Sequence, residues 1–539
     1  MIRELKRILV SLVMIWVILL VYVPWQTRPA HGQSVSFSSP QILQYIPGDD
    51  SYPAVLQASN GTLWVAWQHS PDQPYYQTYN GASWSAIRTL PTGTAFSVAP
   101  SMTQLSGGTI YFLWSSNQTG YWNLYFKTLS GNVWSNTVQL TSGAFNDFFP
   151  TAAVDRNSVL WVFWERTTTV SEQIYYKTLT SNTWSPDTQF TVDPTFNVTP
   201  TVTSPKDGRI WVTWSKLISG QYDVYTRIFN GIAWSSDTQL TSVPTWDIQP
   251  DLVQDRNGTI WLFWSRQLQL TSGTNAIFQQ KLFYKFSIDN GQTWSADTQL
   301  TFYGDATNPI DDFAPAVIQG NTRNVNGTID HGLWIFYSSD LTGLGSDFDI
   351  YYIRSSQIYP VHDLAVRGAS SYPTKMFPWG LRALNIATAT ISVTVADMGD
   401  FPETVSLSVQ IKNTTTYNLG SASFLISSGA SRVLSFSWNA SKASPGIYTI
   451  TASVAPVPGE TIGNVGDNTL SSKALAVLYP GDLNLDGRVN VIDASIFGVS
   501  WNSVPGMSNW NPDADINHNG KVDIFDASIF GANWQKSIY

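Results

Sequence analysis

The sequence predicts a mainly β protein: a six-bladed β-propeller, a β-sandwich behind it, and a small C-terminal α-helical module. Three observations predict this. A fifty-residue aromatic repeat fills the front half, alternating Val/Ser/Thr segments follow it, and a twelve-residue loop of Asp and Asn occurs twice at the end.

Composition bounds the chemistry. Of 539 residues only 12% are charged while 14% are aromatic, including 24 Trp, which is the opposite of a disordered chain. The absence of cysteine excludes disulfides, thiolate metal sites and a Cys nucleophile. A net charge of −9 with scattered Lys and Arg lacks the basic stripe that nucleic acid requires. Residues 1–33 read as a secretory signal: Arg3, Lys6 and Arg7, an apolar run from Ile8 to Val23, then Ala30-His31-Gly32. An uncleaved signal anchor is the alternative, and would be the chain's one contact with a membrane. The expected location is extracellular, secreted or at the cell surface.

The repeat assigns residues 34–357 to the propeller. Each unit opens at a proline (Pro53, Pro100, Pro150, Pro200, Pro250, Pro315) and continues into an aromatic strand such as Trp161-Val162-Phe163-Trp164. A Tyr-rich strand follows, and five units close on Trp84, Trp134, Trp184, Trp234 and Trp294. Four short strands per unit make a propeller blade. The sixth unit stops after its third strand, and Val35 to Leu43 supplies the missing one, so the N-terminal stretch is expected to close the ring. Closure removes two unpaired edges.

Ser287-Ile288-Asp289-Asn290-Gly291-Gln292-Thr293-Trp294 matches S-x-D-x-G-x-T-W, and on this motif the propeller resembles the sialidase-like Asp-box family. The resemblance implies a folding device on the face opposite the ligand mouth. Sialidases open their first blade with Arg-Ile-Pro; here Ser51-Tyr52-Pro53-Ala54 stand there, without the arginine that holds the substrate carboxylate.

At the mouth, Asp50, Ser97, Asp147, Asn197, Asp247 and Asp312 each precede a unit-opening proline by three residues. One reading makes them caps of their own opening turns. The other makes Asp50, Asp147, Asp247 and Asp312 ligand-binding groups for a cation, an amine or a sugar, beside Phe96, Phe196 and Trp246. Trp122 and Trp246 lie off the repeat and are the better stacking candidates. Glu165 with Asp147 could form the carboxylate pair of a glycosidase, and Asp247 is a third weak catalytic candidate.

Residues 358–478 alternate with the period of half-buried strands, as in Val405-Ser406-Leu407-Ser408-Val409, and predict a β-sandwich. His362-Asp363-Leu364-Ala365-Val366, Pro445-Gly446-Ile447-Tyr448 and the stretch 459–468 resemble the CARDB-type immunoglobulin-like domains, which implies a spacer.

Residues 479–539 carry two loops with oxygen side chains at positions 1, 3, 5, 9 and 12 and Gly at position 6. The first has Asp482, Asn484, Asp486, Asn490 and Asp493; the second has Asp515, Asn517, Asn519, Asp523 and Asp526. Arg488 and Lys521, at position 7, would each offer a backbone carbonyl. Such a set suits Ca²⁺, one ion per loop. Both loops run into Asp-Ala-Ser-Ile-Phe-Gly, and on this duplication the module resembles the type I dockerin domain. That implies two calcium ions and a cohesin-like scaffold partner. The expected function is recognition of a glycan or glycoprotein by a docked propeller; the alternative is a glycoside hydrolase with its active site at the mouth.

Overall fold

The computed structural model describes residues 35–539 apart from 72, 94, 169, 273–274, 325–328, 342–346, 357–360 and 381–387. The leader assigned to residues 1–33 lies outside the described residues. No helix among them is long and apolar enough to cross a membrane.

Six antiparallel sheets form the propeller. Blade three is representative: Asn146–Val154 lies innermost, followed by Leu160–Thr167, Glu172–Thr180 and the short outer strand Thr188–Gln189. The other innermost strands begin at Asp50, Ser97, Asn197, Asp247 and Asp312. Blade six takes its outer strand from the N-terminal stretch, with Gln41 opposite Tyr352 and Ile42 opposite Tyr351. The ring closes as expected.

Aromatic residues fill the spaces between blades. Trp67, Trp114, Trp164, Trp211, Trp214 and Trp264 are all below 2% exposed. In the turn at residues 287–294, the Asp289 carboxylate accepts the Thr293 backbone N–H at 2.8 Å, and Gly291 adopts φ +84°. A side chain at Gly291 would collide with the Trp211 indole of blade four, so its close approach as well as its backbone requires glycine.

The sandwich packs a three-stranded sheet (Leu364–Tyr372, Ala389–Asp397, Ser431–Trp438) on a five-stranded one that contains Glu403–Lys412. Residues 403–412 alternate buried and exposed without a break, as a half-buried strand should. One core joins Val366, Val393, Leu407, Val409 and Ile450. The C-terminal module has two helices, α1 (Val491–Val499) and α2 (Ile524–Ala532), whose Phe497 and Phe530 rings stack 5.1 Å apart.

The sandwich sits on the propeller face opposite the mouth, against the turns of blades three to five. Lys206 Nζ reaches Asp363 at 2.6 Å and Asn464 at 3.1 Å, Arg256 reaches Asp400 at 2.8 Å, and Arg156 donates to the Thr469 carbonyl at 2.9 Å. These three cations occupy one repeat position in consecutive blades.

Candidate functional site

The mouth is framed by the starts of the innermost strands and the ends of the second strands. Every innermost strand carries a bulge immediately before its proline. The residues there, Tyr52, Ala99, Phe149, Thr199, Gln249 and Ala314, all have φ between 49° and 54°, a conformation that non-glycine residues seldom adopt. At four of the bulges the backbone N–H reaches a side chain of the preceding blade. Tyr52 N donates to Ser338 Oγ at 3.1 Å, Gln249 N to Ser215 Oγ at 3.1 Å and Ala314 N to Ser265 Oγ at 3.0 Å. In blade four the acceptor is a carboxylate: Thr199 N donates to Glu165 Oε2 at 3.0 Å.

The ring of small polar residues does not face a ligand. Asp50, Asp147, Asp247 and Asp312 are at most 1% exposed, which corrects their assignment as ligand-binding groups. Burying a carboxylate requires a partner, and the second or third strand supplies each one. Asp50 accepts from Trp67 Nε1 at 2.8 Å and pairs with His69 Nδ1 at 2.6 Å. Asp147 is gripped by Arg166 and Asp247 by Arg266, each through two hydrogen bonds of 2.6 and 2.8 Å. Asp312 holds Lys281 Nζ at 2.8 Å and the Ser339 hydroxyl at 2.7 Å. Their partners are side chains of other strands, not the backbone of their own opening turns that the capping reading expected.

The proposed catalytic pair also fails geometrically. Asp147 lies opposite Arg166, and Phe148 opposite Glu165, so Asp147 and Glu165 point to opposite faces of the sheet. Asp247 is consumed by Arg266 and by burial. Glu165 itself is 5% exposed, and burial, reinforced by nearby Glu172, pushes its carboxyl up to about 8. Glu172 pairs with Thr167 in the strand register, which puts it on the Glu165 face. Glu172 had no repeat signal to mark it in the sequence.

The stacking candidates stand where they can be reached. Trp246 is 41%, Phe196 37% and Phe96 49% exposed. Trp246 rests its edge on Tyr222 with ring centroids 5.5 Å apart. Trp122 is half-buried and packs on Phe148 at 5.0 Å. At the centre Tyr52 lies 5.3 Å from Phe149 and 5.9 Å from Phe313, a half-buried aromatic cluster over a channel of about 500 Å³. These three residues escaped the sequence reading. The signal for Tyr52 and Phe149 was the position directly before proline, where a bulky residue with positive φ is costly; Phe313 stands one residue further back, before Ala314.

The two terminal loops fold alike. Asp482 accepts the backbone N–H groups of Asp486 and Gly487 at 3.1 and 2.9 Å, and Asp515 those of Asn519 and Gly520 at 3.0 and 3.0 Å. Asp493 accepts from Asn484 and Asn490, and Asp526 from Asn517 and Asp523. The second member of each of these last pairs closes a capping box at the start of α1 or α2. Burial beside Asp493 and Asp486 pushes the Asp482 carboxyl up to about 6. Concentrated anionic oxygen of this kind fits a hard divalent cation. Asn484, Asp486, Asn490, Asn517, Asn519 and Asp523 line the same turns, and Arg488 and Lys521 N–H groups bond to Asp486 and Asn519.

Residues 480–531 match the dockerin type I domain. Among solved structures, the chain is similar to a protein of unknown function from Dyadobacter fermentans, at 10% identity over 60% of this chain and 100% of that one, with TM-score 0.49. It is also similar to an α-L-arabinofuranosidase of Fusarium graminearum, at 16% identity over 57% of this chain and 93% of that one, with TM-score 0.43. A third is an α-L-arabinofuranosidase of Podospora anserina, at 14% identity over 57% and 91%, with TM-score 0.34. No curated protein matches the chain.

Proposed function

We propose that the chain is an extracellular glycan-recognition protein, carried into a multi-protein assembly by its C-terminal dockerin. The observation that carries the recognition half is the exposed, backbone-pinned aromatic rim of a mouth whose acidic ring is consumed by the fold. Trp246 and Phe196 would stack on sugar faces, with Trp122 flanking them. In the dockerin, Asp482, Asn484, Asp486, Asn490 and Asp493 would hold one calcium ion, and Asp515, Asn517, Asn519, Asp523 and Asp526 a second, with the Arg488 and Lys521 carbonyls completing each set. A cohesin-type scaffold domain would be the partner. The domain limits 34–357, 358–478 and 479–539, the sialidase-like ancestry of the propeller and the CARDB-like character of the spacer belong to this proposal. Mixing the chain with a cohesin panel in calcium, and again after chelation, tests the docking half; binding indifferent to chelation would overturn it.

A second reading, hydrolysis of O-glycosyl bonds, is favoured by one observation. Glu165 is held protonated near neutral pH and shares a sheet face with Glu172, so a general acid and a base could meet there. Turnover of aryl glycosides or polysaccharides abolished by Glu165→Gln would establish it over recognition alone.

A further inference from the structure

We infer that the mouth selects neutral polysaccharides and turns acidic ones away; this rests on the glycan-recognition reading above. Recognition of a uronate, sulfate or sialate needs an available cation, best an arginine fork. Among the described residues the strands bring four permanent cations toward this face, and each is already paired. Arg166 serves Asp147 and Asp187, Arg266 serves Asp247 and Asp297, Lys216 serves Asp193 and Asp237, and Lys281 serves Asp312. Burial pulls the His69 imidazole below its usual range, and its Nδ1 is already engaged by Asp50 at 2.6 Å.

What remains is acidic or neutral. Glu172, Asp311 and Asp340 have no ion pair among the described residues. An anionic sugar docked here would meet those carboxylates with nothing to balance them. Repulsion between two charges about 4 Å apart is about 1 kcal/mol in water and larger where water is excluded.

Blade five adds an uncharged wall. Its second and third strands, Ile260–Ser272 and Asn275–Ser287, are thirteen residues each, against eight and nine in blade three. The extra length projects beyond the mouth. Between Arg266 and Lys281 this hairpin has no ionisable residue, and it presents exposed Gln269 and Phe278. An amide that donates and accepts beside an aromatic ring suits sugar hydroxyls and the apolar faces of sugar rings. The neighbouring Trp246 is held in place, because its carbonyl accepts Gln267 N at 2.8 Å and its indole donates to the Gly220 carbonyl at 3.3 Å. Phe196 is pinned in the same way by Leu217 N at 2.8 Å.

The test is affinity electrophoresis of the full calcium-loaded chain in gels containing xylan, arabinan, mixed-linkage glucan or galactomannan, and in gels containing polygalacturonate, alginate or chondroitin sulfate. At least one neutral polymer should bind about tenfold tighter than any acidic one. That retardation should persist between about 50 and about 500 mM salt, since no ion pair supports it. Trp246→Ala should weaken it about tenfold, and Gln269→Ala, at a solvent-exposed strand position, should weaken it with thermal stability unchanged. An acidic polymer bound as tightly as the neutral ones, and lost in Trp246→Ala, would overturn the selectivity and leave glycan recognition standing. No retardation by any polymer would overturn both. Retardation untouched by either substitution would remove the site from the mouth.

Discussion

Arg166 and Asp147 meet through two parallel hydrogen bonds, Nε to Oδ1 at 2.6 Å and Nη2 to Oδ2 at 2.8 Å, with both side chains buried. The guanidinium also lies over the Tyr175 ring at 4.6 Å and reaches Asp187 at 2.8 Å. A contact so fully engaged belongs to the blade and is closed to ligands. The same arrangement recurs one hundred residues later, at Asp247 and Arg266.

Removing one partner of such a pair leaves the other charge buried without compensation. Asp147→Ala should therefore destabilise the propeller by about 3 kcal/mol, at the low end for buried pairs because Asp187 remains. Chemical denaturation read by tryptophan fluorescence measures this. Glycan binding per folded molecule should be unchanged; a loss of affinity with full stability would return Asp147 to the ligand site.

Glu165 sets a pH dependence. Its folded-state pKa is raised from 4.5 to about 8 by burial, so the native state keeps a proton that the unfolded state releases. Its stabilising contribution is complete below the unfolded value and is lost as pH rises through the folded one. The slope due to one such group is at most about 1.4 kcal/mol per pH unit. Asp50, also pushed up to about 8, acts in the same direction. Glu165→Gln should therefore flatten, without abolishing, the decline in stability between about pH 5 and about pH 8. Unfolding curves across that range decide it, and an unaltered slope would mean that Glu165 is ionised in the folded protein.

The propeller was legible because its period is written in large residues. Trp114, Trp164, Trp214 and Trp264 recur every fifty positions, and each is buried between blades. The mouth was less legible for a geometric reason. Counting three residues back from proline crosses the bulge at Tyr52, Phe149 and their equivalents, where the alternation of side chains loses phase. Positions that looked channel-facing are therefore the buried ones. Glu165 and Asp147 illustrate the same limit: the strand register, which separates their faces, is not visible in their spacing. The terminal loops were legible because liganding oxygens and the turn glycine fall at fixed local offsets. Their packing on the sandwich was not, since Lys375 and Leu485 are 110 positions apart with no local signal joining them.

The seam between propeller and sandwich depends on a close backbone approach. A Cβ on Gly258 would stand 2.3 Å from the Gly463 carbonyl carbon, and Gly258 has φ +80°. Gly258→Val should open this seam and break the neighbouring Thr461 hydroxyl bond to the Asn257 carbonyl. Lys206→Ala removes the cation from fully buried Asp363 and should cost about 3 kcal/mol at the same seam. Small-angle scattering should show an enlarged radius for either variant, with the blades intact by circular dichroism. An unchanged radius for both would mean that the two layers are held by other contacts.

Calcium removal should be felt beyond the loops proposed to hold it. Lys375 Nζ of the sandwich donates to the Leu485 carbonyl at 2.6 Å, inside the first loop, and Trp379 stands edge-on to His518 of the second loop at 4.7 Å. Leu483 and Leu485 pack against the sandwich core. The loops are thus tied to the spacer on one side, while α1 and α2 expose Val491, Ile492, Ile524 and Phe525 on the other. Without a cation, the buried carboxylates of Asp482, Asp493, Asp515 and Asp526 repel one another, and loop order is lost with the helices they cap. Chelation should then raise amide exchange throughout residues 480–539 and, to a smaller degree, in the strand Lys375–Met376 and its neighbour Thr469–Val477. The propeller strands should keep their protection. Exchange followed by mass spectrometry separates the three regions, and a C-terminal module equally protected with and without chelator would remove calcium from its fold.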